Sequence, residues 1–113
     1  MKKPQRGTLY LTDGRVILLK PKDEKEFTLE ELQKAVGGLI ETVKPLDNGV
    51  KLWANEEGFI LNLPRNPHSQ SLVNLHWHGL PYLVGNLIST YRVTPESTLG
   101  DGDSRMTVES LEL

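Results

Sequence analysis

Apolar positions change their spacing several times along the 113 residues, and each change predicts an element. Between Leu29 and Val36 they recur at intervals of three and four. Leu29, Leu32, Ala35 and Val36 share one face, while Glu30, Gln33 and Lys34 face away. Thr28 and Glu31 write a capping box at the start. Glu30 and Glu31 also suit the positive end of a helix dipole. Gly37-Gly38 can supply the left-handed residue that stops the helix. The pattern predicts a helix over Leu29–Val36 that packs through Leu29, Leu32 and Val36.

Elsewhere the spacing shortens to that of strands. Thr8 to Leu11 and Arg15 to Leu19 flank Thr12-Asp13-Gly14, and Asp-Gly between apolar runs predicts a hairpin. Pro21 ends the second run, and Lys22 to Glu26 is a charged connector. Leu39 to Val43 reads as a strand, Pro45 to Gly49 as a turn, and Val50 to Ala54 as the antiparallel partner. Phe59 to Leu63 reads as a further short strand, reached through Asn55-Glu56-Glu57-Gly58. Between Pro64 and Pro81 the pattern weakens, with a helical turn predicted within Ser69 to Leu75. Leu83 to Thr90 is strand-like, and its Gly85 marks a bulge or a close backbone approach. Pro95 to Asp103 is a polar loop, and Met106 to Leu113 is either an edge strand or a loose tail. The sum is an α+β fold: a small, mostly antiparallel sheet with one helix on a face. It forms a single domain over 1–113, with an N-terminal hairpin and connector (1–27), a core (28–92) and a C-terminal loop and tail (93–113).

Composition narrows the function classes. The chain is 37% hydrophobic and 25% charged, which fits a globular domain with a modest core. No apolar run approaches the length of a membrane span. Lys2, Lys3 and Arg6 have no apolar segment behind them, so no secretory signal is expected. Without cysteine there are no disulfides and no thiolate metal ligands, in keeping with a cytoplasmic protein. Net charge is −2 from 13 basic and 15 acidic residues. Residues 1–25 hold seven basic and three acidic side chains, and the remainder is correspondingly acidic. That is a basic edge rather than the concentrated basic face of a duplex binder.

Few residues carry recognisable chemistry. Asn55-Glu56-Glu57-Gly58 is a polar turn whose backbone can curl to present N–H groups, with two carboxylates beside them. Pro64-Arg65-Asn66-Pro67 is a stiffened corner, and the planar fork of Arg65 suits phosphate or carboxylate. His76 and His78 flank Trp77 and share a face if extended, but a zinc site would need His68 or Glu56 to complete it, so no metal is expected. Ser69, Ser71 and Ser89 lack an elbow motif. Gly37-Gly38 ends a helix and so forms no phosphate loop. Among the seven aromatics, Trp53, Tyr82 and Tyr91 could stack on a base, although most aromatics serve the core. No catalytic set and no cofactor emerge. The binding residues expected at strand ends are Asn55, Glu57, Arg65, Asn66 and Asn86.

Four groups of residues carry a resemblance: Leu29-Glu30-Glu31-Leu32-Gln33 with Val36-Gly37-Gly38 and Ile40-Glu41; Asn55-Glu56-Glu57-Gly58; Leu63-Pro64 with Asn66; and Val84-Gly85-Asn86. In order and spacing, over about 28–90, they resemble a family of small uncharacterised proteins found largely in phages, plasmids and their bacterial hosts, catalogued as a domain of unknown function. The resemblance implies a small cytoplasmic protein in a mobile-element setting and implies no activity. With no catalytic set in the chain, the expectation is a non-enzymatic binding protein, such as a counter-defence sponge that sequesters a small anionic, nucleotide-like signal, or one that docks on a host protein. The alternatives are a small hydrolase using Glu56, Glu57 and the His76/His78 pair, and a protein–protein regulatory module. Exposed sheet edges suggest a homo-oligomer in each case.

Overall fold

The computed structural model describes residues 3–43, 49–72, 82–93 and 105–111. Five strands form one antiparallel sheet: β1 (Gln5–Tyr10), β2 (Val16–Leu19), β3 (Ile40–Val43), β4 (Lys51–Asn55) and β5 (Leu87–Arg92), in the order β2-β1-β5-β4-β3. The Asp-Gly hairpin forms as its sequence predicts. Tyr10 pairs with Val16 and Gly7 with Leu19. The Asp13 carboxylate accepts from Arg15 N at 3.0 Å and Arg15 Nε at 2.7 Å, and these bonds hold its pKa below the usual carboxylate value. β1 then pairs along its whole length with β5, from Gln5 opposite Arg92 to Tyr10 opposite Leu87. The first hairpin is thereby joined to the sheet through β1, with β2 at the edge and β5 in the centre.

Helix α1 (Leu29–Val36) lies across one face. Its capping box is complete: Thr28 Oγ1 accepts from Glu31 N at 3.1 Å, and the Glu31 carboxylate accepts from Thr28 N at 2.9 Å. Gly37, at φ 81°, closes the other end. Removing the hydroxyl leaves the Glu31 N–H without its cap, so Thr28→Ala should lower stability by about 1 kcal/mol in urea titration. Leu32, Ala35 and Val36 are buried as their spacing predicts. Leu29 is not: it remains 60% exposed. A helical side chain leans toward the N-terminus. At the first position of α1 it is therefore aimed past the start of the helix.

Two apolar clusters result, one on each face. On the helix side Leu9, Leu19 and Ile88 meet Leu32, Ala35 and Val36. On the other side Val43, Leu52, Ala54, Leu83 and Leu87 pack together, joined by Tyr10 and by Leu72 of a short helix α2 (Ser69–Leu72). Neighbouring Leu87 and Ile88 point to opposite faces, so β5 is buried on both. The outer edge of β2 is met by the C-terminal segment. Met106 N donates to Leu18 O at 3.2 Å, and Lys20 N donates to Met106 O at 2.9 Å. A 3-10 turn (Val108–Ser110) follows, and Val108 is buried against the helix-side core. This segment is thus a single bridge followed by an anchored turn, where the sequence suggested an edge strand or a loose tail.

One predicted strand is absent. Phe59 to Leu63 folds into a helical turn: Leu61 N donates to Glu57 O, Asn62 N to Phe59 O and Leu63 N to Gly58 O. The last two bonds, with Asn62 at φ 57°, make a Schellman-type closure. Gly58 and Asn62 permit the curl, and it leaves Ile60 82% exposed. The strand predicted from Leu83 begins only at Leu87, because Gly85 takes φ 76° and breaks the extended path. The remainder fits the expected class: a mostly β domain of low helical content, with a helix packed on its sheet. Pro45 to Asn48, the His76–His78 pair and Pro95 to Asp103 lie outside the described residues.

Candidate functional site

At one end of the sheet four segments meet that are far apart in sequence: the C-terminus of α1, the turn after β4, residues 63–66 and residues 83–86. Three asparagines tie them together. Asn55 is 1% exposed. Its Nδ2 donates to Val36 O at 3.3 Å, and its Oδ1 accepts from Glu57 N at 2.8 Å, which starts the 56–62 turn. Gly38 leaves room for this amide, since a Cβ there would sit 2.9 Å from Asn55 Nδ2. Asn86 Nδ2 reaches the adjacent helix carbonyl, Ala35 O, at 3.5 Å, and its Oδ1 accepts from Thr12 N at 3.2 Å.

Asn66, also 1% exposed, does the most. Its Nδ2 donates to Tyr10 O and to Gly85 O, each at 2.9 Å, and its Oδ1 accepts from His68 N at 2.9 Å. Gly85 N in turn donates to Pro64 O at 2.7 Å, and Asn66 N donates to Leu83 O at 2.9 Å. Gly85 needs both its left-handed backbone and its missing side chain, because a Cβ would lie 2.8 Å from Leu63 Cδ1. His68 Nε2 must carry its proton to donate to Gly14 O at 2.8 Å, so this ring is committed to the hairpin turn.

The five residues expected to bind therefore gather at one corner with different jobs. Asn55 and Asn66 are buried, and their amides serve backbone groups. Asn86 is half-buried between the hairpin and the helix end. Glu57 is half-buried, and its backbone N–H is taken by Asn55. Arg65 alone is fully presented: it is exposed, and its guanidinium carbon lies 4.8 Å from the centre of the Tyr82 ring. Phe59 meets the same ring at a tilt of 60°, with the ring centres 6.3 Å apart. Ile60 (82% exposed) and Leu61 (53%) form the apolar tip of the turn beside them. Sequence reasoning missed Phe59, Ile60 and Leu61 as surface residues because it placed them in a strand. The turn formers Gly58 and Asn62, bracketing the run, were the available signal.

A concavity of about 690 Å³ lies at the other end of α1 between Lys22, Thr28, Glu31 and Lys34, beside Val108 and Glu109. Its polar groups largely satisfy one another. The Glu31 carboxylate accepts from the backbone N–H groups of Thr28 and Lys22, and Lys22 Nζ pairs with Glu109 at 3.0 Å. Among the described residues no cluster of three or more His, Asp or Glu could hold a metal ion. The hydrolase alternative depends on His76 and His78, which lie outside them. Also among the described residues, no helix is long and apolar enough to cross a membrane.

Residues 14–101 match a family described as Domain of unknown function (DUF3846), and the chain belongs to that family. No curated protein and no solved structure matched the chain.

Proposed function

We propose that this member of the family is a non-catalytic interaction module whose contact surface is the corner formed by residues 56–65 and Tyr82. The observation that carries this reading is the exposed Ile60–Leu61 tip on a turn fixed at both ends, by the Asn55 amide and by the Schellman-type closure. Bulky apolar side chains gain most from burial, and a turn that is already ordered loses little entropy on binding. Arginine over an aromatic ring is a frequent anchor composition at protein interfaces. The buried asparagines support the module reading in a second way, because their hydrogen bonds build the platform and are not available to orient a substrate.

A photo-crosslinking amino acid at position 60, in cells that naturally carry the protein, tests this. The expected result is a discrete adduct at position 60 and none when the probe sits at Lys25, which is exposed far along the chain. Equal labelling from both positions would remove the corner from consideration.

Sequestration of a small anionic, nucleotide-like ligand is the second reading. It is favoured by one observation: Arg65 has no carboxylate within ion-pair distance among the described residues, so its donors are open. Titration calorimetry with a panel of cyclic and ADP-ribose-type nucleotides separates the two readings. If Arg65 holds such a ligand, Arg65→Ala should weaken binding by about 1.5–3 kcal/mol, the value of a charge-assisted contact. Equal binding by the variant would clear Arg65 of that role.

A further inference from the structure

We propose that the occupant of the 56–65 corner is a second copy of this chain, in a two-fold symmetric dimer; the inference rests on the interaction-module reading and names its partner. In an isologous interface one patch faces itself, so it must be complementary to its own rotated image. This corner carries the groups such a patch needs. Its centre is the apolar pair Ile60 and Leu61. Acidic Glu56 and Glu57 lead into the turn, and basic Arg65 follows it. Among the described residues, ion pairs join Arg15 to Asp13, Lys20 to Glu24, Lys22 to Glu109 and Arg92 to Glu26; Glu56, Glu57 and Arg65 take part in none.

Unspent charges of opposite sign therefore precede and follow one exposed apolar centre along the chain. Rotation about a two-fold axis through the Ile60–Leu61 tip brings each Arg65 toward the acidic pair of the other copy, giving two equivalent ion pairs around an apolar contact. This matches the arrangement of an apolar core with a polar rim. A lipid surface fits less well, because two carboxylates beside the tip and a net charge of −2 oppose an anionic bilayer.

Sedimentation velocity of the purified chain, over a range of concentrations, should show a monomer of 12.7 kDa converting to a species of twice that mass. Ile60→Glu, at an exposed position that does not support the fold, should raise the dissociation constant roughly thirtyfold or more. Charge reversal gives the decisive arm. A chain with Arg65→Glu and a second chain with Glu56→Arg and Glu57→Arg should each self-associate weakly. Mixed one to one, they should form a heterodimer, since every rim contact is then between opposite charges.

A chain that stays monomeric throughout overturns the inference. So does a dimer indifferent to Ile60→Glu, which would place the interface elsewhere, and so does failure of the two charge variants to pair. Co-flotation of a monomer with phosphatidylglycerol vesicles, abolished by Ile60→Glu, would assign the tip to a membrane instead. If the chain is monomeric but a probe at position 60 still crosslinks one foreign protein, the module reading stands and only the choice of partner fails.

Discussion

Replacing Asn66 by alanine is expected to destabilise the protein by about 3–5 kcal/mol, as the sum of several unmet hydrogen bonds rather than of lost apolar contact. The side chain is 1% exposed and serves three backbone groups: Tyr10 O, Gly85 O and His68 N. Alanine removes the partner and leaves all three groups, that of Gly85 fully buried and those of Tyr10 and His68 partly so. A buried polar group left in this state costs about 1–3 kcal/mol. The three contributions are not independent, so the lower part of their sum is the fair expectation. Asn66→Asp should be at least as damaging, because it exchanges two donated N–H bonds for a carboxylate oxygen facing two carbonyl oxygens. Guanidinium titration, followed by circular dichroism, gives the number. A loss under about 1 kcal/mol would mean that the amide is not the node connecting hairpin, turn and β5 approach.

The second large effect lies at the other side of the sheet. Leu32→Ala should cost about 2–5 kcal/mol, with the upper end reached if the cavity stays open. Leu32 is 6% exposed and packs among Leu9, Leu19, Val36 and Ile88. Strands β4 and β5 beneath it are tied by their own ladder and by the Trp53 Nε1 bond to Thr90 Oγ1 at 2.9 Å, so the site can collapse only slightly. Leu29→Ala is the internal control. Its side chain is mostly in water, and truncation should change stability by only a few tenths of a kcal/mol. An unchanged melting temperature in Leu32→Ala, or equal losses in the two variants, would show that α1 does not dock through the face described.

What was legible in the sequence follows from how local each decision is. The capping box, the left-handed Gly37 and the Asp-Gly hairpin are each settled within about four residues, and all three form. Helix periodicity named Leu32, Ala35 and Val36 correctly, because any amphipathic helix on a sheet buries that stripe. It failed for Leu29, because burial at the first helical position depends on what lies beyond the end of the helix, which periodicity does not carry. The apolar run Phe59–Leu63 misled for a similar reason. A short run of bulky residues suits a strand or a turn equally, and the Asn55 amide and Asn62 backbone chose the turn.

The candidate site divides along the same line. Sequence alone placed Asn55 and Glu57 in the polar turn that ends a strand, whereas it puts Arg65 and Asn66 after a strand that does not form and Asn86 within one that begins only at Leu87. Only the tertiary structure decided which of them face solvent. An asparagine that binds a ligand and one that binds a carbonyl have the same neighbours in sequence. The difference lies in whether a strand end such as Tyr10 O, 56 residues earlier, arrives beside the amide. Such meetings, with Tyr10 O for Asn66 and with Val36 O for Asn55, engage both amides with backbone groups. They leave Arg65, stacked on Tyr82, and the apolar tip beside it as the surface the fold presents.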